Sequence, residues 1–252
     1  MGIPKRLHYV WVGGPLPEER RAYLDSWRAS NPDFEIVRWD EANIDLSLPA
    51  IARAYRRGQW ARVADIARLV AVAEQGGIYL DTDFRVFRPL TPLLGHACFY
   101  GFQLAAPSPD WVANGAFGAV PGHWFVREAL ARTLALREAP LGLTRPTASG
   151  PKLVTALLRE HGLARYAPEG VWVRDVFVLP TPVFYPFGWH ERFTEACVTE
   201  QTLAAHFWAE SEGREPSWAR ALPAPLRLLR RARGALRRRA GAWARPGRRA
   251  GA

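Results

Sequence analysis

Gly76-Gly77-Ile78-Tyr79-Leu80-Asp81-Thr82-Asp83 holds a helix stop, a strand entry and two carboxylates in eight residues. Upstream of it, apolar residues at Trp60, Val63, Ala64, Ala67, Val70 and Ala71 follow helical spacing, predicting a helix over Trp60–Gln75. Gly76 and Gly77 supply the left-handed stop expected just beyond a helix end. Ile78-Tyr79-Leu80 then enters a strand, so Asp81 and Asp83 stand at its C-terminal end, where open α/β sheets bind their ligands. Residues two apart on a strand face the same side, so the two carboxylates are expected to converge there.

The pattern extends outward. Leu7-His8-Tyr9-Val10-Trp11-Val12 reads as a buried first strand ending at Gly13-Gly14-Pro15. Glu18 to Ala29 fits a helix started after Pro17 and stopped before Asn31-Pro32, and Phe34 to Trp39 fits a second strand, giving a βαβ opening. Further on, Phe99 to Phe102 predicts a strand, and Gly122 to Arg137 and Pro151 to Glu160 predict helices. Short strands are expected around 171–173, 176–179 and 201–207. The alternation argues for one α/β sandwich, with no internal repeat.

Charge separates the chain into two parts. The 252 residues carry 34 Lys and Arg against 24 Asp and Glu, a formal +10. Such a balance first suggests nucleic acid or an anionic membrane. Residues 219–252, however, hold 11 arginines and no acid, so the body is close to neutral and the basic character belongs to the tail. A domain over 1–218 and an Arg-rich extension over 219–252 are therefore expected. Within the extension, Leu226, Leu229, Ala232 and Leu236 lie near one helical face with arginines around the rest, a basic amphipathic pattern. A solvated, unstructured end is the plain alternative.

Two cysteines, Cys98 and Cys197, are too few for a disulfide framework, and the N-terminal apolar run is too short for a signal peptide. The expectation is a reduced, cytoplasmic protein, peripheral on the inner face of the membrane if the tail docks there.

An isolated Asp-x-Asp is a weak signal, but its strand context favours a hard divalent cation, which chooses carboxylate oxygens and shares its remaining sites with phosphate. Such a cation neutralises the charge that develops on a diphosphate leaving group. Upstream, Asp65 and Arg68 are helical neighbours. They read either as a surface ion pair or, because Val63, Ala64, Ile66, Ala67, Leu69 and Val70 make the helix apolar on nearly all sides, as buried charges with a purpose.

These residues together resemble a known family. Ile3-Pro4-Lys5, His8 to Gly14, Ser26-Trp27, Asn31-Pro32-Asp33, Trp39, Trp60-Ala61, Asp65-Ile66-Ala67-Arg68 and Gly76 to Asp83 look like the DxD sugar transferases of glycosyltransferase family 32. That family includes fungal mannosyltransferases and bacterial polysaccharide transferases and is more distantly similar to the glucosylating domains of large clostridial toxins. The match is strong over about residues 3–95. Asn114-Gly115, Pro121-Gly122-His123, Ser149-Gly150-Pro151 and His206-Phe207-Trp208 are weaker echoes.

The resemblance implies a GT-A fold, a Rossmann-like mixed sheet flanked by helices, and Mn²⁺- or Mg²⁺-dependent retaining transfer from a nucleotide sugar. The donor is expected to be a UDP-sugar in preference to a GDP-sugar, and the acceptor a glycan or lipid-linked saccharide in surface polysaccharide synthesis. Carried over, Trp11 stacks on the base, Asp65 and Arg68 hold the donor sugar, and Tyr79 lies near the sugar and phosphates. Asp81 contacts ribose and sugar hydroxyls, and Asp83 binds the metal with Asp81.

Trp11 is alternatively strand core. His206 is a candidate further metal ligand or a structural histidine. Asn114 binds sugar or acceptor, or caps a turn. The Ser-Trp pair expected soon after His206 appears only at Ser217-Trp218. The resemblance favours retention by front-side attack over a covalent intermediate. The rival classes are a nucleic-acid binder acting through the tail, which the near-neutral body disfavours, and a non-catalytic sugar-binding relative.

Overall fold

A seven-stranded mixed sheet in the order β2-β1-β3-β6-β5-β10-β9 organises the protein. Its strands are β1 (Arg6–Val10), β2 (Glu35–Trp39), β3 (Gly77–Leu80), β5 (Cys98–Phe102), β6 (Val112–Ala119), β9 (Val171–Val173) and β10 (Val176–Leu179). A two-stranded sheet pairs β4 (Phe84–Val86) with β11 (Ala204–His206), and a ribbon pairs β7 (Glu138–Ala139) with β8 (Leu143–Thr144). The helices are α1 (Glu18–Ser30), α2 (Pro49–Arg56), α3 (Trp60–Gln75), α4 (Trp124–Ala135), α5 (Pro151–Glu160) and α6 (Thr181–Phe184). This is a computed structural model, and it describes residues 2–136, 138–139, 143–144, 150–189 and 191–208.

The βαβ opening is present: β1 pairs in parallel with β2, and with β3 on its other side. The central β6 runs antiparallel to both β3 and β5, which makes the sheet mixed.

Alternation along the strands feeds two cores. Ile78 and Leu80 of β3 join Leu7, Leu24, Trp27, Phe84 and Phe184 on the face covered by α1 and α6. Tyr79, between them, joins Val63, Ile66, Val72, Phe117, Phe125 and Leu157 on the face covered by α3, α4 and α5. The two faces differ by one residue step, as a period of two requires.

Gly76 makes the turn from α3 into β3 possible. Its φ is +64°, and a Cβ there would lie 2.6 Å from the Pro121 ring. Its amide donates to the Val72 carbonyl at 3.0 Å, closing the last turn of α3. Gly77 follows with φ +101°, so the chain leaves the helix and enters the sheet within two residues.

Three expectations are adjusted. The helix expected over 122–137 starts at Trp124, because the His123 side chain accepts from the Phe125 amide and caps it. The strand expected over 201–207 is limited to Ala204–His206, its pairing with β4. Elements α2, β4, β6, β7, β8 and α6 were not expected. The extension 219–252 and the pair Ser217-Trp218 lie outside the described residues. No described helix is long and apolar enough to cross a membrane.

Candidate active site

Asp81 and Asp83 converge, but by a different route from strand alternation. Strand β3 ends at Leu80, and Asp81 opens a turn closed by the Phe84 amide donating to the Asp81 carbonyl at 3.1 Å. The turn swings Asp83 back beside Asp81. Strand β4 continues from it, and β11 lies antiparallel to β4 with His206 opposite Phe84. The Phe207 amide donates to the Asp83 carbonyl at 2.9 Å. That pairing brings His206 to the carboxylates: its Nε2 is 2.9 Å from Asp83 Oδ1. One ligand atom from each of Asp81, Asp83 and His206 lies within 4.8 Å of the others.

Arg68 organises the neighbouring half of the site. It is buried in α3 and donates through Nε to the Ala64 carbonyl at 3.0 Å and through Nη1 to the Asn114 carbonyl at 2.9 Å. Its Nη1 stands 3.2 Å from Asp81 Oδ1 and its Nη2 3.5 Å from Asp65 Oδ1. The guanidinium carbon lies 4.6 Å from the centre of the Tyr79 ring. The Tyr79 hydroxyl donates to Asp81 Oδ1 at 2.8 Å, and Asn114 Nδ2 donates to Asp65 Oδ1 at 3.0 Å. The Asp65–Arg68 pair is therefore part of a buried network and not a solvated surface pair.

Burial leaves its mark on the titrating groups. Desolvation raises the Asp81 carboxyl above its ordinary range, against the pull of Arg68. Burial likewise pushes the Tyr79 hydroxyl well up. Burial alone would lower His206, yet the Asp83 carboxylate at hydrogen-bond distance outweighs it and raises the imidazole.

All eight expected site residues, Trp11, Asp65, Arg68, Tyr79, Asp81, Asp83, Asn114 and His206, line one cleft of about 500 Å³. Trp11 lies one residue past the end of β1, half-buried, where it packs against the core and borders the cleft, its Nε1 donating to the Gly14 carbonyl at 3.1 Å. Tyr79 is almost fully buried and borders the cleft, with its hydroxyl directed at Asp81. Asn114 lies on β6 and anchors Asp65; it caps no turn.

Arg20, which sequence reasoning did not single out, and Trp60 and Trp208, which it quoted as motif residues without a site role, also line the cleft. Trp208 packs edge-on to His206, with ring centroids 4.3 Å apart, and its Nε1 donates to the Phe187 carbonyl at 3.2 Å. Its adjacency to the metal candidate was the available signal.

The donor set fits a hard divalent cation. Glu19, Asp65, Asp81 and Asp83 bring four carboxylates to the cleft against the two guanidiniums of Arg20 and Arg68. An ion among Asp81, Asp83 and His206 would balance the excess and favour the charged form of Asp81, which burial disfavours.

An α/β sheet that carries an acidic, imidazole-bearing cleft at a strand end offers a site for a hard divalent cation beside a polar ligand. Comparison with known proteins gives the class. The family described as "Glycosyltransferase sugar-binding region containing DXD motif" matches residues 17–100. Lactosylceramide 4-alpha-galactosyltransferase of Pongo pygmaeus is 31% identical over 180 residues, covering 65% of this chain and 75% of the relative. Inositol phosphoceramide mannosyltransferase 3 of Schizosaccharomyces pombe is 29% identical over 133 residues, covering 51% of this chain. This chain spans only 36% of that mannosyltransferase's length.

Among solved structures, the PaToxG glycosyltransferase superposes with a TM-score of 0.52 at 16% identity, covering 63% of this chain and 70% of that one. The chain belongs to the DXD-motif glycosyltransferase family, and its fold is of the GT-A type.

Proposed function

We propose that this protein transfers a hexosyl-type sugar from a nucleoside-diphosphate sugar to a glycan or lipid-linked saccharide, with retention at the anomeric carbon, in surface polysaccharide synthesis. The observation that carries the reading is the convergence of Asp81, Asp83 and His206 within 4.8 Å, in the same cleft as the Asp65–Arg68–Asn114 network. Mn²⁺ or Mg²⁺ held by Asp81, Asp83 and His206 would neutralise the charge of the departing diphosphate.

The chain's own residues do the rest. The Trp11 indole offers a flat face to the base, of which uracil is favoured. Arg68 and Asp65 hold hydroxyls of the donor sugar, with Asn114 fixing Asp65. Tyr79 orients Asp81. Asp65 and Asp81 are each already engaged by Arg68 and by a second partner, which supports front-side attack over a covalent intermediate on either carboxylate. Residues 219–252 would draw the enzyme to the anionic cytoplasmic leaflet and so to a lipid-linked acceptor.

The purified protein should be screened against UDP- and GDP-sugars with Mn²⁺ or Mg²⁺, reading hydrolysis and thermal shift. One donor class is expected to be hydrolysed, with the activity lost on adding a chelator. Failure of every nucleotide sugar to shift the melting temperature or to be hydrolysed overturns the proposal.

A further inference from the structure

Arg20 sits where ordinary physical chemistry disfavours it. It belongs to the first turn of α1, beside Glu18 and Glu19. Those acids suit the positive end of the helix dipole, and a cation at that end is unfavourable. Its side chain is only 8% exposed, so the charge is also desolvated. Its Nη1 has no hydrogen-bond partner, although it is buried. That nitrogen stands 3.7 Å from Asp83 Oδ2, beyond hydrogen-bond reach. An arginine that meets three costs together and faces a cleft is matched to something that enters the cleft.

The N-terminal end of the thirteen-residue α1 faces the same cleft, through Pro17, Glu19 and Arg20. A helix N-terminus and a guanidinium with an unpartnered nitrogen both favour an anion with several acceptor oxygens. Asp83 has His206 on its other oxygen, so Arg20 completes a charge pair without being bonded into it.

We infer that Arg20 is a diphosphate-binding residue: it balances Asp83 while the site is empty and turns its free Nη1 to the phosphates of the nucleoside diphosphate when the donor is bound. This inference rests on the reading of the cleft as a nucleotide-sugar site. It adds a contact from α1, outside the Asp-x-Asp turn and the Asp65–Arg68 helix. Two consequences point in opposite directions. Without Arg20 the diphosphate loses a charge-assisted partner, whereas a divalent cation is freed from a neighbouring positive charge and meets a less compensated Asp83.

Isothermal titration should follow UDP, UMP and GDP in the presence of Mn²⁺, and Mn²⁺ alone, for the wild type, Arg20→Met and Arg20→Lys. Arg20→Met is expected to weaken UDP binding at least tenfold and UMP binding less. Its affinity for Mn²⁺ alone is expected to equal or exceed that of the wild type, and Arg20→Lys should recover most of the UDP affinity. Equal losses for UDP and Mn²⁺ would mean a structural role and overturn the inference, as would unchanged UDP binding. If the wild type binds neither UDP nor GDP, the nucleotide-sugar reading itself falls, and the inference with it.

Discussion

Gly115 leaves open the space in which the Asp81 carboxylate stands: a Cβ on Gly115 would lie 2.6 Å from Asp81 Oδ2. The same Cβ would come within 3.3 Å of the Tyr185 hydroxyl. Asp81 has little freedom to withdraw, because its amide donates to the Gly115 carbonyl at 2.8 Å and its side chain is held by Tyr79 and Arg68. Gly115→Ala is therefore expected to push the carboxylate off its position, lowering Mn²⁺ and UDP affinity tenfold or more with only a small change in melting temperature. Titration beside a thermal melt checks this, and full retention of both affinities would show that Asp81 has room to move.

Arg68 joins α3, β6 and the turn after β3, so its removal should be felt in stability as well as in activity. Arg68→Met leaves Asp65 and Asp81 without their cation in a mostly buried site, which costs on the order of 3 to 5 kcal/mol. Arg68→Lys keeps the charge but cannot reach the Ala64 carbonyl, the Asn114 carbonyl and both carboxylates with one ammonium. Urea unfolding should rank the proteins wild type, Lys, Met. Transfer activity should be lost in both variants, and a fully active Arg68→Lys would remove the requirement for the planar fork.

The elements that sequence shows well are those with a strong local signal. Helix α3 has apolar residues at helical spacing and a glycine stop, and its bounds match the expectation residue for residue. Strand β6 carries no such signal, since Val-Ala-Asn-Gly-Ala-Phe-Gly-Ala is mostly small residues. It is a strand because β3 and β5 flank it, and its glycines are there for close approach: Gly118 lies under the Phe99 ring, where a Cβ would be 2.6 Å away. Asp81 and Asp83 were legible because the motif and its strand are contiguous. Arg20 was not, since Glu18-Glu19-Arg20-Arg21 reads as a solvated helix face, and only the packing of α1 against β4 turns Arg20 inward.

His8 ties the end of α3 to β2 through both ring nitrogens. Nε2 donates to the Gly76 carbonyl at 2.8 Å, and Nδ1 accepts from Trp39 Nε1 at 3.0 Å, an arrangement only the neutral imidazole satisfies. Desolvation accordingly holds its pKa below the ordinary 6.5. The unfolded chain then binds more protons than the folded one, so the stabilisation is complete above about 6.5 and is lost as pH falls through the folded value. Through His8 the melting temperature should drop between pH 7 and 5, a fall that His206, raised by Asp83, opposes. His96 and His123, also lowered by burial, contribute in the same sense. His8→Leu should cost about 2 to 4 kcal/mol at pH 7.5, by stranding the Trp39 N–H and the Gly76 carbonyl, and should melt with a shallower pH dependence. Parallel curves for the two proteins would acquit His8 of the pH response.

The arginines of residues 219–252 predict a separable effect on location. Eleven arginines with no acid, near an anionic leaflet, contribute about 1 kcal/mol for each residue that approaches the surface, and the effect weakens as salt screens it. A protein ending at residue 218 should keep its affinity for UDP with Mn²⁺, because every expected ligand-binding residue precedes that point. It should lose binding to vesicles containing phosphatidylserine or phosphatidylglycerol, while neither protein binds vesicles of phosphatidylcholine alone. Cosedimentation at low and high salt separates attraction by charge from insertion of Leu226, Leu229 and Leu236: charge alone predicts full release at high salt, and insertion predicts a retained fraction. Equal vesicle binding by the shortened and full-length proteins would remove the tail from any role in placing the enzyme. Retention of the full-length protein on DNA at physiological salt, lost in the shortened form, would give the tail a nucleic-acid partner instead.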